Sequence, residues 1–426
     1  MRARARRASC RQRGEPAAEP GSAGRERKAT RGVRFSPDEM RRRYGLARGL
    51  MERLELEALV IFGNSGMNRH NNVNAFWLSQ YLDMHHCYLV VPREAEPALL
   101  VGLTNHVPNA RELSDVPVVE WGGYDAGETV AKRLAAAEVE RGRVGLVGVN
   151  HTWTMGMPWQ HYATLRELLP GIEPVDVTAE YARLRAVSSE EEIERLRGAA
   201  ELTDLAILTL QREARPGRSE VELVAIVEDA YRRRGGTVRI TFLRSMPMDA
   251  PNGCLPSQNP SARRLERGDA IITELSASLD GYSGQIHRPV FVGAEPTADW
   301  ARMFDVAKQA YERISAGMRA GSTEGDAIRN AAVIGEAGYE IYDDLIHGYG
   351  TDIHPPLVDR SCVAYWRDGA EPPPGRTIER NMAIVIQPNP ITPDERMGLQ
   401  LGALTVVRDD GAECLHGVPF EPLVAG

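Results

Sequence analysis

The sequence predicts an α/β protein built from two domains, and three observations support this fold class. The chain has 426 residues, about twice the length of one ordinary domain. From about residue 36 to residue 180, short apolar runs alternate with helical patterns, which indicates a first α/β layer. Beyond residue 187, two helical patterns are followed by strand patterns and this order recurs, as expected for a duplicated α/β half.

Short apolar runs predict five strands in the first layer. They are Leu56–Phe62, Cys87–Val91, Ala98–Val101, Val118–Trp121 and Val144–Val147. Two segments with apolar residues at helical spacing, Ala126–Ala137 and His161–Leu169, predict helices in the same layer. The apolar runs fall far short of the roughly 20 residues that cross a bilayer, so we expect no membrane span.

The second half opens with a helix-capping signal. Ser188 and Ser189 precede Glu190 and Glu191, a pattern typical of a capping box, and a long amphipathic helix follows. A second helix is predicted to begin near Ser219 and to end at the glycine pair 235–236. The remaining predictions are strands at 238–243, 270–275, 290–292, 383–386 and 401–407 and helices at 299–317 and 324–337.

Charge divides the chain into a basic head and an acidic body. Residues 1–34 carry eleven Arg or Lys and three Glu, a net of +8, and the whole chain carries −8, which leaves −16 for the rest. An acidic body is a poor surface for nucleic acid. We interpret the head (residues 1–35) as a disordered extension, translated from an early start, because it lacks apolar periodicity and a hydrophobic signal region. A transit peptide and a nucleic-acid arm are the alternatives.

Residue usage argues against several chemistries. Only three lysines are present, Lys28, Lys132 and Lys308, so Schiff-base or pyridoxal chemistry has almost no candidate residue. The five cysteines lack CxxC spacing, which indicates neither a zinc cluster nor a disulfide framework. This cysteine usage favours a reducing, cytoplasmic location.

Several motifs occur in an order and spacing that resemble those of one known family. They are Arg183–Ile193, Gly268-Asp269, Asp280-Gly281-Tyr282, His347-Gly348-Tyr349-Gly350 with His354, Asn381-Met382 through Gln387-Pro388, and Asp410-Gly411. The segment Asn74–Leu82 resembles one that leads into a strand of the N-terminal domain in that family. Over roughly residues 40–426, the chain is therefore similar to the creatinase/prolidase, or pita-bread, family of peptidases.

This resemblance implies a domain organisation and an assembly. It implies a smaller creatinase-type α/β domain at residues 36–183 and a pita-bread catalytic domain at residues 184–426, as in an Xaa-Pro aminopeptidase. It also implies a homodimer in which the N-terminal domain of one subunit borders the active site of the other.

The metallopeptidases of this family hold two metal ions with two Asp, one His and two Glu, and the spacing of these ligands transfers onto this chain. The residues at the five positions are Glu274, Gln285, His347, Gln387 and Gly402. Closely spaced dications need several anionic oxygen ligands, and only one of the four carboxylates is kept. The resemblance thus implies a member with no metal site and no cofactor.

Creatinase itself is a metal-free branch of the family and hydrolyses a C–N bond of a guanidino compound. Its catalytic His and two catalytic Glu correspond here to Ser257, with Gln258 adjacent, and to His287 and Gln387. Because all three are replaced, we do not expect creatine as the substrate. The pocket is predicted to be a third variant within the family.

The aligned positions predict a pocket that binds a small molecule. Four side chains are candidates for acid–base catalysis, namely His287, His347, Glu274 and His354. Six are candidates for substrate binding, namely Gln285, Gln387, Ser257, Gln258, Arg288 and Tyr282. Glutamine keeps the size of a carboxylate while it donates and accepts hydrogen bonds, which suits a neutral or anionic polar substrate.

Each candidate also has a structural interpretation, and the reaction has alternatives. His347 and His354 are hydrogen-bonded remnants of a metallopeptidase site in that interpretation, and Glu274 and Arg288 are partners in structural ion pairs. Our leading hypothesis is metal-independent hydrolysis of a C–N bond by the His/Glu set. A lyase or isomerase using the same residues and a non-catalytic binding protein are the alternatives.

Overall fold

Helices and strands follow the predicted α/β order in a computed structural model of the chain. The structure describes residues 34–63, 72–149 and 156–426. Of the head predicted to be disordered, residues 1–33 lie outside the described residues, and Phe35 at its end is buried. Among the described helices, none has the length and apolar character needed to cross a membrane.

The first layer is a mixed sheet with helices on it. Its helices are α1 (Pro37–Arg53), α2 (Val73–Ser79), α3 (Val107–Leu113), α4 (Ala126–Ala136), α5 (Trp159–Leu168) and α6 (Thr178–Ala186). Its strands are β1 (Ala58–Gly63), β2 (Cys87–Pro92), β3 (Ala98–Val101), β4 (Val118–Trp121), β5 (Gly142–Val147) and β6 (Ile172–Asp176), in the sheet order β4-β3-β2-β1-β5-β6. All five predicted strands and both predicted helices are confirmed.

The second layer holds the larger sheet. Its helices are α7 (Glu190–Glu213), α8 (Glu220–Arg232), α9 (Ala298–Gly317), α10 (Glu324–Asn330), α11 (Val333–Glu336) and α12 (Val363–Asp368). Its strands are β7 (Thr237–Pro247), β8 (Asp269–Leu279), β9 (Tyr282–Ser283), β10 (Ile286–His287), β11 (Val290–Val292), β12 (Glu340–Ile341), β13 (Ile346–Gly348), β14 (His354–Val358), β15 (Ala383–Ile386), β16 (Pro390–Ile391), β17 (Gly402–Val407), β18 (Ala412–Cys414) and β19 (Leu423–Ala425).

Capping boxes define where the two long helices of the second layer begin. The Ser189 hydroxyl accepts a hydrogen bond from the backbone of Glu192, whose carboxylate accepts one from the backbone of Ser189. Ser219 and Glu222 repeat this arrangement at the start of α8. Each box satisfies backbone donors that the first helical turn leaves unpaired, so the predicted helix starts are confirmed.

One continuous sheet brings the predicted site residues onto neighbouring strands. Most of its strands follow the order β14-β13-β15-β17-β10-β8-β11-β19. His287 on β10 pairs with Gly402 on β17, and His347 on β13 pairs with Val385 on β15. Because these strands are adjacent and short, side chains that are distant in the sequence meet in one pocket.

Candidate active site

Five of the predicted site residues meet where the central strands of the large sheet lie side by side. Gln285, His287, His347 and Gln387 are buried, each with at most 2% of its surface exposed. Glu274 on β8 keeps part of its surface open to solvent. The group is thus a polar pocket with one accessible carboxyl group.

Gln285 links the carboxyl group of Glu274 to the ring of His287. Its Nε2 donates to Glu274 Oε1 at 2.9 Å and lies 3.2 Å from His287 Nε2. If Nε2 of the ring accepts this hydrogen bond, the neutral ring carries its proton on Nδ1, which has no hydrogen-bond partner. Burial, with the neighbouring His347 and Arg288, lowers the pKa of His287 to about 3, so the ring is neutral at neutral pH.

His347 presents a second neutral imidazole to the pocket. Its Nδ1 lies 3.2 Å from the carbonyl oxygen of Gly348, and its ring meets Tyr349 edge to face. Burial lowers the pKa of His347, although this hydrogen bond, the charge of Asp343 and a hydrogen bond with the Gln387 side chain act in the opposite direction. With Nδ1–H donating to the carbonyl, Nε2 holds the lone pair that can accept a proton.

Two carboxyl groups that sequence reasoning missed, Asp343 and Asp344, approach the pocket from the segment before β13. Gln387 Nε2 donates to Asp344 Oδ1. Burial raises the pKa of Glu274 to about 8, and the charges of Asp343 and Asp344 add to this rise. Burial and repulsion from Asp344 raise the pKa of Asp343 to about 6, and burial raises that of Asp344 to about 7. The Asp-Asp pair three and four residues before His347 was the available sequence signal.

His354 lies against the strand that carries His347. Its Nδ1 is 2.8 Å from the carbonyl oxygen of Pro355, and a Cβ added at Gly348 would fall 2.2 Å from this nitrogen. Burial lowers the pKa of His354 to about 4. The ring therefore supports the backbone at Gly348, and glycine is needed there because the ring fills the space of a side chain.

Two residues predicted to bind substrate have structural partners in the fold. Arg288 is fully buried, and its guanidinium donates to the carbonyl oxygens of His287, Gly402, Val418 and Pro419. Four backbone partners leave this group little capacity for a substrate carboxylate, so Arg288 holds β10 to β17 and to the chain near its end.

Tyr282 is the second of these residues. Its hydroxyl donates to Glu192 at 2.9 Å and accepts from Arg43 at 3.1 Å. These partners lie on α7 and α1, so Tyr282 belongs to a buried network between the two layers.

Ser257 and Gln258 lie on the loop after β7. The Ser257 hydroxyl donates to the carbonyl oxygen of Asn259 and accepts from its backbone nitrogen, which closes a local turn, and Gln258 is exposed. In the ranges that the structure describes, no hydrogen bond joins either residue to the buried group. Their predicted contact with substrate stays a prediction.

The donor set does not fit the two metal ions that the family resemblance implies for its peptidases. The position of the fifth ligand is Gly402, where even a Cβ would lie 2.6 Å from the carbonyl oxygen of Ile386 and 2.9 Å from Gln387 Cβ. The amides of Gln285 and Gln387 point their nitrogens at carboxylates. Within residues 34–63, 72–149 and 156–426, no three His, Cys, Asp or Glu side chains are arranged to hold a metal ion.

Family models match both layers of the chain. The description "Metallopeptidase family M24" matches residues 194–409, and "Creatinase/Prolidase N-terminal domain" matches residues 43–187. Both matches agree with the resemblance drawn from the motifs.

Individual relatives are distant in sequence but similar in fold. A probable dipeptidase PepE of Mycobacterium tuberculosis is 27% identical over 274 residues, which cover 64% of this chain and 69% of the relative. An Xaa-Pro dipeptidase of Pyrococcus furiosus is 24% identical over 348 residues, covering 80% and 90%. The crystal structure of an X-Pro aminopeptidase from Thermotoga maritima is 19% identical, with a TM-score of 0.73, covering 89% and 98%. The predicted pita-bread domain behind a creatinase-type N-terminal domain is therefore confirmed.

Proposed function

Because this chain belongs to metallopeptidase family M24, we propose that it is a hydrolase of C–N bonds that works without a bound metal ion on a small polar molecule. Its relatives include proteins named as dipeptidases and Xaa-Pro dipeptidases, which supports C–N bonds as the target. One observation supports the proposal that hydrolysis needs no bound metal ion. A carboxyl group that holds its proton at neutral pH, Glu274, shares a pocket with an unprotonated imidazole, His347.

The two groups are suited to opposite proton transfers. A buried acid with a pKa of about 8 keeps its proton at neutral pH and can give it to a leaving nitrogen. A neutral imidazole can take a proton from an attacking water on its unprotonated nitrogen. Environments that shift the pKa values of two titratable groups in opposite directions are typical of acid–base pairs.

In the proposed reaction, His347 Nε2 takes a proton from water while the water oxygen bonds to the substrate carbon. The C–N bond then breaks and Glu274 protonates the departing nitrogen. The proton held by His347 returns to the Glu274 carboxylate through solvent, which restores both groups. Gln285 orients the Glu274 carboxyl group through its hydrogen bond, so it is a positioning residue.

The test uses enzyme treated with a chelator and dialysed. We expect it to hydrolyse at least one member of a panel of dipeptides, N-acyl amino acids, amides and guanidino compounds, with fewer than one metal ion per chain by elemental analysis. Glu274→Gln should lower kcat about 100-fold, since it keeps the shape but cannot supply the proton. The matched control is Asp368→Asn, which removes an exposed carboxylate from the end of α12 and should leave kcat unchanged.

Two results would overturn the metal-independent mechanism. One is activity that the chelator abolishes and that Mn²⁺, Co²⁺ or Zn²⁺ restores. The other is full activity in the Glu274→Gln variant, which would remove the acid from the mechanism. A chain that hydrolyses no member of the panel yet keeps its fold would favour the non-catalytic alternative.

The family resemblance supports a homodimer, and the cysteine usage supports a cytoplasmic location, as further parts of the proposal. Light scattering during gel filtration should give twice the chain mass of 47.0 kDa. A mass of one chain would contradict the dimer.

A further inference from the structure

A groove of about 970 Å³ lies beside α1 in the first layer. Met40, Tyr44 and Arg48 follow one another at intervals of four residues on α1, so they share one face of the helix and form one wall. Phe35 and Leu78 add apolar surface to the groove. The described residues that line it all belong to the first layer, whereas the catalytic pocket lies in the large sheet. Its volume suits a small organic ligand.

Hydrogen bonds fix the walls of this groove relative to one another. Gln80 Oε1 accepts from the backbone nitrogen of Phe35 at 2.6 Å, and Gln80 Nε2 donates to Asp115 Oδ2 at 2.9 Å. The Tyr44 hydroxyl donates to the carbonyl oxygen of Leu78 at 3.2 Å. These contacts tie the start of α1, the end of α2 and the chain after α3 together, so the fold itself sets the shape of the groove.

Arg48 is the cation of the groove without a matching anion. The two other arginines that line it are paired, Arg34 with Asp115 and Arg41 with Asp38. Arg48 is exposed, and among the described residues no carboxylate oxygen lies within ion-pair distance of its guanidinium. The groove therefore has one positive charge that a ligand can neutralise.

Apolar surface begins next to this charge and continues along the groove. Burial raises the pKa of Tyr44 to about 12, and the charge of Arg48 acts in the opposite direction, so the guanidinium lies near the Tyr44 hydroxyl. Met40 lies one turn of α1 beyond Tyr44, and Leu78 faces the same space. From Arg48 to Met40 the helix rises about 12 Å, which is room for an extended hydrocarbon chain.

We propose that this groove binds a small amphipathic carboxylate, with its carboxylate on Arg48 and its apolar chain along Tyr44, Met40 and Leu78. A guanidinium offers a carboxylate two parallel N–H donors, and the apolar wall removes the chain from water. A peptide would fit less well, since its backbone polar groups would lose hydrogen bonds against Met40 and Leu78. The site is separate from the catalytic pocket and does not depend on the proposed function.

The first experiment measures binding of small probes to the full-length wild-type chain by calorimetry at pH 7.5. Octanoate is the test ligand, 1-octanol is its neutral counterpart, octylammonium is its cationic counterpart, and acetate lacks the apolar chain. We expect one octanoate per chain, bound about tenfold more tightly than 1-octanol or octylammonium. Acetate should bind at least about 100-fold more weakly than octanoate, because the burial of its methylene groups is lost.

The second experiment separates the charge from the apolar wall. Arg48→Gln should weaken binding of octanoate about tenfold and leave 1-octanol unchanged, because it removes only the charge. Met40→Ser should weaken binding of both probes about threefold, because it removes apolar surface that both contact. Arg233→Gln is the matched control, an exposed arginine at the end of α8 that pairs with Asp229, and it should change neither affinity.

Thermal unfolding of each variant checks that its fold is kept, and the comparison of probes on the wild-type chain needs no variant. Equal affinity for octanoate and 1-octanol would overturn this inference. So would binding of several octanoate molecules per chain that Arg48→Gln leaves unchanged, which is adventitious binding only. If octanoate does not bind and Arg48→Gln lowers the mass of the protein in light scattering, the groove is instead a contact between two copies of this chain. Hydrolysis enters none of these measurements, so their outcome is independent of the proposed reaction.

Discussion

At the scale of single residues, Glu274 is the group whose surroundings change its chemistry most clearly. Burial is the largest influence on its pKa, and the like charges of Asp343 and Asp344 act in the same direction. In the folded chain the pKa of Glu274 rises to about 8 from its usual 4.5. The folded state therefore binds a proton that the unfolded state has released over this range, and stability falls as pH rises toward 8.

This titration predicts a pH dependence of stability between pH 7 and 8. The buried His287 and His354 have lowered pKa values, so they affect stability below about pH 6.5 and contribute little here. The free energy of unfolding should fall about 1 kcal/mol more in the wild type than in Glu274→Gln over this pH unit. Urea denaturation of both proteins and of Asp368→Asn would measure it, and parallel curves for wild type and Glu274→Gln would contradict the raised pKa.

Sequence reasoning identified the core of this pocket because family spacing transfers along strands. Glu274, Gln285, His287, His347 and Gln387 were all predicted, and all meet in one pocket. Their predicted roles in substrate binding and catalysis stay predictions.

Charge and contact at the remaining positions could not be predicted from spacing. Asp343 and Asp344 were missed because they match none of the family's metal-ligand positions. Arg288 and Tyr282 were assigned to the substrate because a charged or hydroxyl group beside a motif suggests binding. Which way such a side chain points depends on the packing of distant segments, such as the carbonyl oxygens of Val418 and Pro419 for Arg288.

At the scale of elements, the pairing of β10 with β17 closes one side of the pocket. His287 lies opposite Gly402, and the backbone of Ile386 and the side chain of Gln387 fill the space above Gly402. Long strands of this sheet and the capped helices were predicted from periodicity and capping signals. The two-residue strands β9, β10 and β12 were not, since such short runs have no period to detect.

The close contact at Gly402 predicts that Gly402→Ala is destabilising. The added Cβ would lie 2.6 Å from a backbone carbonyl oxygen that belongs to a paired strand, so the strand must shift, at a cost of about 1 to 3 kcal/mol. Gly45→Ala is the matched control. It lies in α1 with no atom within 4 Å of its added Cβ, and alanine should stabilise the helix by up to about 1 kcal/mol. If chemical denaturation gave both variants the same stability, the close packing at Gly402 would be contradicted.

At the scale of the whole molecule, a buried polar network joins the two layers. Arg43 on α1 is fully buried and contacts Glu39 at 2.6 Å, Glu192 at 3.1 Å and the carbonyl oxygen of Trp77 at 2.8 Å. Tyr282 donates to the same Glu192. Because all these groups are satisfied by one another, removing one partner leaves buried charge without compensation.

The network predicts that Arg43→Met destabilises the whole molecule by about 3 kcal/mol. Residues 34–426 form one compact unit, so the loss should appear as one shifted transition in both circular dichroism and tryptophan fluorescence. Arg41→Met is the control on the same helix, where the exposed ion pair with Asp38 contributes less than about 1 kcal/mol. An Arg43→Met protein as stable as Arg41→Met would show that the network contributes nothing to joining the layers.

The space at Gly402 also determines the order in which this pocket can be redesigned. Gln285 and Gln387 can each become an acid without a change of shape, and either step adds charge to a cluster that already repels itself. A glutamate at position 402 meets backbone first, so it becomes tolerable only after β15 and Gln387 have moved. Single substitutions can therefore change the charge of the pocket, but none leads directly to a five-ligand site.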